Sequence, residues 1–331
     1  MKEIAGSSGA KSARLLGALA VAAVAAFVLS LSIGPAGLGI EATGEARALI
    51  FWEIRLPRAV MGALVGGALG LSGAALQGYL RNPLAEPSLV GVSGGAALGA
   101  VFAIHLGLSQ VFALALPLGG LAGAAVAMLA VMALAGPHGG PVTLILAGLA
   151  VSSLAAALIS LALNLSQNPF ASVEMVFWMM GSLADRSLTQ VWLSAPLMLA
   201  GMGALLTVGR ALDALTLGED AARSLGIDVR RTRLAVMAGT ALSVGAATAV
   251  TGIIGFVGLI VPHVLRPLAH HRPGVLLPAS LLGGAIMLLL ADVGLRLIQP
   301  WMELRIGVLT ALIGAPFFVW LVLETRAELA P

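Results

Sequence analysis

Uncharged apolar runs about as long as a membrane-spanning helix follow one another along almost the whole chain. An α-helix of about 20 residues crosses the roughly 30 Å hydrocarbon core of a bilayer. Each run is bounded by a charge, a proline, a glycine or a polar cluster. The predicted spans are 15–33, 58–80, 90–106, 112–135, 142–166, 190–209, 233–253, 256–267, 275–296 and 306–324. The sequence therefore predicts an all-α polytopic membrane protein with about ten transmembrane helices, forming one transmembrane domain over residues 1–331.

The composition supports this class. The chain is 59% hydrophobic and 10% charged, whereas about a quarter of the residues in a soluble domain are charged. Segment 256–267 is too short to cross a bilayer alone, so we expect a partial helix buried among the others. Cysteine is absent, which excludes disulfides, thiol catalysis and cysteine metal sites.

Glycines recur at four-residue spacing inside several of the runs. The sets are Gly62, Gly66 and Gly70, then Gly91, Gly95 and Gly99, then Gly119 and Gly123. Faces of small residues let helix backbones approach closely in a membrane. The spacing therefore predicts a tightly packed bundle.

The basic residues predict the orientation of the chain in the membrane. Cytoplasmic loops carry an excess of Lys and Arg. With both termini cytoplasmic, the inside receives Lys2, Lys11, Arg14, Arg81, Arg210, Arg223, Arg230, Arg231, Arg233, Arg266, Arg272 and Arg326. The outside receives Arg47, Arg55, Arg58, Arg186, Arg296 and Arg305. Since the inside holds the larger set, we predict that both termini are cytoplasmic.

No Asp, Glu, Lys or Arg lies near the middle of any predicted span. Ion-coupled carriers usually need ionisable groups or broken helices at mid-membrane. We therefore expect a membrane centre without ionisable groups, and a proton-coupled secondary carrier remains a remote alternative. Asp292 and Arg296 come closest, and their four-residue spacing predicts a helical ion pair near the outer end of their span.

Two short motifs raise an enzymatic alternative. "GLSG" (70–73) and "GVSG" (91–94) match the GxSG motif of rhomboid-type intramembrane serine proteases. Such a protease needs a His base within reach of its Ser, and nothing in the sequence ties His263 to Ser72 or Ser93. The stretch "GSSGAKS" (6–12) lacks the second glycine and the preceding strand of a phosphate loop. We therefore predict that the chain is not an enzyme, with the protease as a remote alternative.

The stretch "LGEDAARSLGIDVRRTR" (217–233) is unusually polar for this chain and falls on the predicted cytoplasmic side. Glu219 and Asp220 suit the positive end of a short helix, and Gly226 is a natural stop for it. Leu217, Ala221 and Leu225 share one face of that helix, and Asp228 is suited to cap the next span. The pattern predicts a helix–glycine–helix elbow with an apolar knob and a charged rim.

Several longer stretches resemble the FecCD-type permeases of bacterial ABC importers for iron–siderophores, haem and cobalamin. These stretches are "RLPR" (55–58), "LSGAALQGYLRNPLAEPSLVGVSGGA" (71–96), "GFVGLIVPHVLRPL" (255–268), "LLLADVGLRL" (288–297) and "IGVLTALIGAPFFVWLV" (306–322). The resemblance implies a homodimer of ten-helix subunits in the bacterial inner membrane, with ATP-driven alternating access. It also implies two ATPase subunits below the membrane, which bind ATP and Mg²⁺, and a periplasmic substrate-binding protein above it. This chain itself would bind no cofactor or metal.

The resemblance also assigns roles to particular residues. The implied ATPase-coupling residues are Glu219, Asp220, Arg223, Leu225, Gly226 and Asp228. The implied docking residues for the binding protein are Arg55, Arg58 and Arg296. The implied gate at the cytoplasmic exit is Asn82, Leu84 and Thr143.

The cargo is expected to be haem, with a ferric siderophore or cobalamin as alternatives in the same family. The stretch "VEMVFWMMGSLADRSL" (173–188) lies near the predicted outer mouth. Its Met175, Met179 and Met180 could face haem iron, and Arg186 could meet a propionate. A packed Met-rich helix followed by an ordinary interfacial Arg is the alternative interpretation.

Overall fold

The computed structural model describes residues 2–34, 37–39, 43–136, 139–298 and 304–329, with only the backbone described for 2–8, 38 and 325–329. Fifteen α-helices lie in this part of the chain. They are α1 (Lys2–Ser32), α2 (Glu45–Leu49), α3 (Leu56–Leu80), α4 (Val92–His105), α5 (Leu108–Val111), α6 (Ala115–Ala135), α7 (Pro141–Leu165), α8 (Pro169–Met179), α9 (Leu188–Thr207), α10 (Gly209–Leu215), α11 (Glu219–Ser224), α12 (Val229–Thr251), α13 (Val257–Leu265), α14 (Pro273–Ile298) and α15 (Ile306–Leu329).

Two short helices of other types and one β-hairpin also lie in the described residues. A π-helix, Ile50–Arg55, joins α2 to α3, and a 3-10 turn, Pro87–Val90, precedes α4. A two-residue antiparallel hairpin pairs β1 (Ile33–Gly34) with β2 (Gly37–Leu38), in the register Ile33 to Leu38 and Gly34 to Gly37.

The prediction of an all-α polytopic membrane protein is confirmed. Within the described residues, eight helices are long and apolar enough to cross a membrane: α1 from Gly9, Glu45–Leu80 as one continuous helix, α6, α7, α9, α12, α14, and α15 to Glu324. The other two predicted spans are also helical but shorter, since α4 has 14 residues and α13 has nine. The partial helix expected at 256–267 is thus confirmed.

Helix α8 lies outside the ten predicted spans. Its start is encoded locally, because the Asn168 side chain accepts a hydrogen bond from Phe170 N at 3.0 Å and Pro169 occupies the first helical position. At 11 residues it is too short for a spanning helix, and a search for apolar runs of about 20 residues cannot detect it.

The glycine faces pack as predicted. A Cβ atom on Gly66 would overlap the carbonyl oxygen of Gly284, so α3 and α14 touch backbone to backbone. A Cβ atom on Gly99 would overlap the carbonyl oxygen of Gly119 in the same way, which joins α4 to α6. Close approach of this kind maximises van der Waals contact where lipid offers no hydrophobic driving force.

The contacts define two ends of the bundle. At the arginine end, named for Arg55, Arg58 and Arg296, α3 begins while α1 and α14 finish. At the elbow end, named for the elbow of residues 217–228, α3 finishes and α14 begins against α10. Helix α1 therefore begins at the elbow end. Helix α15 runs alongside α13 towards the elbow end. The start of α1 and the finish of α15 therefore lie at the same end of the bundle.

Replacing Gly99 by Ala is expected to destabilise the fold by about 1–3 kcal/mol, the usual cost of overpacking a close contact. The added methyl group meets the Gly119 carbonyl, which is backbone and cannot turn aside. The midpoint of thermal unfolding of the purified full-length protein measures this change. Gly17→Ala is the matched control, because nothing lies within 4 Å of a Cβ at that position. Equal midpoints for the two variants would contradict the packing argument.

Candidate functional sites

The predicted elbow is present as local structure. Gly218 (φ +102°) precedes α11, and Gly226 (φ +81°) follows it with its N–H donating to Arg223 O at 2.9 Å. Both backbone conformations favour glycine. Asp228 Oδ1 accepts the N–H of Arg231 at 3.0 Å and caps α12, as the sequence predicts.

The surface of the elbow is an apolar pair inside a charged rim. The side chains of Leu217 and Leu225 are 68% and 65% exposed. Arg223 Nη2 lies 3.2 Å from Glu219 Oε2, and Arg223 Nη1 lies 3.8 Å from Asp220 Oδ1. Because these ion pairs are solvated and local, they add little to stability. The elbow therefore presents charges and two unburied leucines that the fold of this chain does not require.

The elbow packs against the bundle through a face other than its predicted apolar knob. Ala222 is fully buried in α11, while Ala221, predicted to share the knob with Leu217 and Leu225, is partly buried. A six-residue helix has little room for a clear apolar period, so the packing of α11 against the bundle decides which alanine turns inward.

Asp292 is the centre of the arginine end. Its carboxylate accepts from Arg58 Nε at 3.0 Å and Nη2 at 2.8 Å, and from Arg296 Nε at 2.9 Å. The predicted Asp292–Arg296 helical pair is confirmed, and Arg58 joins it from α3. All three side chains are buried, and a buried carboxylate is stable only when it is paired in this way.

Arg296, together with Arg55, also donates hydrogen bonds to the carbonyl groups at the end of α1. Arg296 Nη1 donates to Ser30 O at 2.7 Å and Ile33 O at 2.8 Å, and Arg55 Nη1 donates to Leu31 O and Ser32 O, both at 2.9 Å. A helix leaves its last four carbonyl groups without partners inside the helix, and these arginines satisfy three of those of α1, at Ser30, Leu31 and Ser32.

Contact of Arg55, Arg58 and Arg296 with a binding protein remains a prediction, and in this conformation their hydrogen-bonding groups point into the chain. Arg296 is only 2% exposed. Arg47, on α2, is exposed at this end. The whole Glu45–Leu80 helix is about 54 Å long at 1.5 Å per residue, so one end of it extends beyond a hydrocarbon core of roughly 30 Å.

The predicted gate residues lie at the elbow end. Arg81, in the left-handed conformation (φ +50°), terminates α3. Asn82 Oδ1 accepts the N–H of Leu84 at 2.9 Å, which holds the turn after α3, and both residues are half-buried. Thr143 is exposed in the first turn of α7. The first two form one local turn, while Thr143 belongs to a separate helix.

Glu86 lies at mid-depth in the bundle, where the sequence predicts no ionisable residue. A Cβ atom on Gly258 would lie 2.7 Å from Pro87 Cδ and 2.9 Å from Leu69 O, so the chain after Glu86 is beside the middle of α3. The Glu86 carboxylate accepts the N–H of Phe256, at the break before α13. The expectation of a membrane centre without ionisable groups is therefore wrong, because residues 81–91 fold back among the helices. The available signal was the pair of prolines, Pro83 and Pro87, in a connection too polar to count as a span.

Phe256 explains why a carboxylate is placed there. It has φ +66°, a left-handed conformation that is uncommon outside glycine. Its ring occupies the space that a side chain at Gly314 of α15 would fill. Backbone groups freed by a helix break inside a membrane need an internal partner, and Glu86 supplies one. Glu86 thus connects the segment after α3 to α13 and α15.

The predicted cargo-facing residues are not equally accessible. Met175 is fully buried, Met179 is half-buried and Met180 is 37% exposed. The structure therefore contradicts a direct contact of Met175 with cargo in this conformation, because α8 packs that side chain against the bundle. Arg186 is half-buried, and its Nε has no hydrogen-bond partner among the described residues. Burial lowers the pKa of the Arg186 guanidinium, although Asp185 beside it acts in the opposite direction.

The hydroxyl partner of Ser72, in the first GxSG motif, is another serine and not His263. Ser72 Oγ lies 3.0 Å from Ser243 Oγ in a buried contact between α3 and α12. The His263 ring instead packs edge-on against Phe317 and Trp320, at centroid distances of 5.4 and 6.0 Å. Ser72 is thus a packing residue with a hydroxyl partner.

Comparison with known proteins decides the family. The model of the FecCD transport family matches residues 20–324. This chain belongs to the FecCD transport family. The chain is accordingly the transmembrane permease subunit of an ABC importer and not the ATPase.

Relatives of this permease are similar along their whole length. The vitamin B12 import system permease protein BtuC of Citrobacter koseri is 40% identical over 319 residues, which cover 96% of each chain. The BtuC protein of Salmonella typhimurium is 40% identical over 324 residues, covering 95% of this chain and 96% of its own. A solved inward-facing conformation of a metal-chelate type ABC transporter matches with TM-score 0.85 and 33% identity, over 94% of this chain and 99% of that one.

Removing the Asp292 carboxylate is expected to destabilise this permease by about 3–5 kcal/mol, because Asp292→Ala leaves two buried guanidinium groups without their counter-ion. Thermal unfolding of the purified protein measures the loss. Asp220→Ala removes a solvated carboxylate and should leave the midpoint unchanged. A midpoint for Asp292→Ala equal to that of the control would show that the cluster does not hold α3, α14 and α1 together.

Glu86→Ala is expected to cost about 1–3 kcal/mol, the penalty for a buried N–H left without an acceptor. Glu86→Gln should remain close to the unchanged protein, because its amide oxygen can still accept the N–H of Phe256. The same unfolding measurement compares the two variants. If Gln destabilises as much as Ala, the negative charge of Glu86 is what matters, and the capping role assigned to it is wrong.

Proposed function

We propose that two copies of this permease form the transmembrane pathway of a binding-protein-dependent importer in the bacterial inner membrane. Each copy acts as one transmembrane domain. Two ATPase subunits sit at the elbow end and bind ATP and Mg²⁺, and a substrate-binding protein docks at the arginine end. Membership of the FecCD transport family carries this proposal.

The exposed face of the elbow supports its role as the ATPase contact. Leu217 and Leu225 are unburied leucines on a surface formed by short helices, within a rim of charged residues. Apolar anchors inside a polar rim are typical of protein interfaces. The proposed coupling residues are Glu219, Asp220, Arg223, Leu225, Gly226 and Asp228.

The placement of the termini supports a cytoplasmic elbow. Helix α1 begins and α15 finishes at the elbow end, and the larger set of basic residues was assigned to the cytoplasmic side on the same topology. The arginine end then faces outward. Charged residues at that surface, Arg47 among them, would steer and orient a partner that must dock and leave.

The packing suggests how access alternates. Helices α3 and α14 touch through backbone atoms, as do α4 and α6, so each pair should move as a rigid unit. Movement is expected instead where the backbone is irregular, at residues 81–91 and 252–256, which meet at Glu86 and Phe256. Binding of ATP would shift the population from one access state to the other through the elbow.

Vitamin B12 is the proposed cargo, in place of the haem expected from the Met-rich stretch. Relatives named as vitamin B12 permeases are 40% identical over nearly all of both chains. Of the methionines on which the haem assignment depended, Met175 is buried. A broad pathway with few strong contacts suits a ligand of this size, and the half-buried Arg186 offers a guanidinium group to an anionic group such as the cobalamin phosphate.

Haem is the second candidate. Met180 is partly exposed near Arg186, which keeps one soft ligand for iron and one cation for a propionate close together in the sequence.

The test begins with the intact complex extracted gently from native membranes. Its mass and the identity of every co-purifying chain should show two copies of this permease with two copies of a Walker-motif ATPase. A permease that remains without an ATPase in several mild detergents would refute the importer proposal.

The same complex, reconstituted in vesicles with its binding protein and internal ATP, then decides the cargo. Labelled cyanocobalamin, haem and a ferric siderophore are offered in parallel, and ATP-dependent accumulation of cyanocobalamin is expected. Vesicles with the non-hydrolysable ATP analogue AMP-PNP are the matched control. Accumulation of haem without cyanocobalamin would replace the first candidate by the second and leave the importer proposal intact.

A further inference from the structure

The start of α14 is held by α10, the helix that precedes the elbow. Asp213 Oδ1 accepts the N–H of Gly274 at 2.8 Å. A Cβ atom on Gly274 would lie 2.7 Å from Asp213 Oδ2, and one on Gly209 would lie 3.1 Å from Gly274 Cα. Asp213 Oδ2 is also 3.9 Å from Arg272 Nη2. Two turns of α10 therefore touch the first turn of α14.

We propose that Asp213 is a positioning residue through which displacement of the elbow reaches the membrane helices. The inference rests on the proposed importer function. It assigns Asp213 to neither the ATPase interface nor the cargo pathway. Its carboxylate instead fixes α10 to the start of α14, so that the two elements move together.

On one side, α10 is continuous with the elbow. Backbone hydrogen bonds run from Leu217 N to Ala214 O at 3.1 Å, from Gly218 N to Leu215 O at 3.1 Å and from Ala222 N to Gly218 O at 3.0 Å. Such bonds link each residue of the three-residue connection 216–218 to a neighbouring turn, so the path from α10 to α11 is short and hydrogen-bonded. A push on α11 is therefore transmitted to α10.

On the other side, α14 is fixed to α3. The Gly66–Gly284 and Gly70–Ser280 contacts join the two backbones without intervening side chains. Leu212, next to Asp213, also lies against α3, 3.2 Å from the position of a Cβ on Gly78. Movement of α10 is thus transmitted to the pair of helices that carries the buried Asp292 cluster at the other end.

The chemistry at Gly274 favours a carboxylate acceptor. The first N–H groups of a helix have no partner within the helix, and the helix dipole places positive charge there. Pro273 has no N–H to offer. Gly274 must also be glycine for Asp213 to approach so closely, because a larger residue would displace the carboxylate.

The test compares Asp213→Ala with Asp213→Asn in the purified, reconstituted complex. Asn keeps an oxygen that can accept the Gly274 N–H, and Ala does not. Both ATP hydrolysis and cargo transport are measured, together with the recovery of assembled complex. Asp213→Ala should continue to hydrolyse ATP while cargo moved per ATP falls by about fivefold or more, the lower end of the usual range of coupling. Asp213→Asn should restore most of that ratio.

A second variant approaches the same contact from the other partner. Gly274→Ala adds a methyl group against Asp213 Oδ2 and should lower transport per ATP in the same way. If both changes act through one contact, the double variant should lose no more than the more severe single variant. Gly274→Ala also carries the test if Asp213→Ala fails to assemble.

The outcomes that overturn the inference differ from those that overturn the proposed function. An unchanged ratio of transport to hydrolysis in Asp213→Ala, or an equal fall in both rates, refutes the positioning role while the importer stands. Additive losses in the double variant refute it as well. An unaltered complex that lacks an ATPase refutes the importer proposal and this inference together.

Discussion

The architecture depends on helix backbones that touch. In a bilayer, helices gain little from burying apolar side chains, because lipid is equally apolar, so close packing and internal hydrogen bonds must hold the bundle together. The glycine contacts of α3 with α14 and of α4 with α6 provide this packing. They also make each of the two helix pairs rigid. A rigid pair suits a transporter, because a displacement at one end of the pair also displaces the other end.

Polar groups inside the bundle act mainly on the ends and breaks of helices. Asp292 gathers Arg58 and Arg296, and Arg296 goes on to satisfy the last carbonyl groups of α1. Glu86 and Asp213 each accept one N–H at a helix start, of Phe256 and Gly274 respectively. Inside a bilayer, no water is present to hydrogen-bond the free backbone N–H and C=O groups at helix ends and breaks. The charged residues of the Asp292 cluster, Glu86 and Asp213 therefore serve the fold, unlike the exposed charges of the elbow.

The two ends of the bundle differ in a way that suits their proposed partners. The elbow leaves Leu217 and Leu225 exposed and has only weak, local ion pairs, so an ATPase can cover it without breaking the fold. The arginine end keeps the guanidinium groups of Arg55, Arg58 and Arg296 inside, and Arg47 is an exposed cation nearby. A partner that stays bound and a partner that must leave need such different surfaces, since apolar burial favours lasting contact and surface charge favours rapid encounter.

The sequence by itself determined the features that depend on neighbours along the chain. These are the ten apolar segments, the glycine faces, the Asp292–Arg296 pair and the elbow with its Gly226 stop and Asp228 cap. Tertiary structure alone decided which distant groups meet: Arg58 joins Asp292, Asp213 caps Gly274, and Glu86 reaches Phe256 at mid-depth. It also buried Met175, which local pattern had placed towards the cargo. Helical spacing fixes contacts three or four residues apart, whereas these pairs are set by which helices lie side by side, and no local pattern encodes that arrangement.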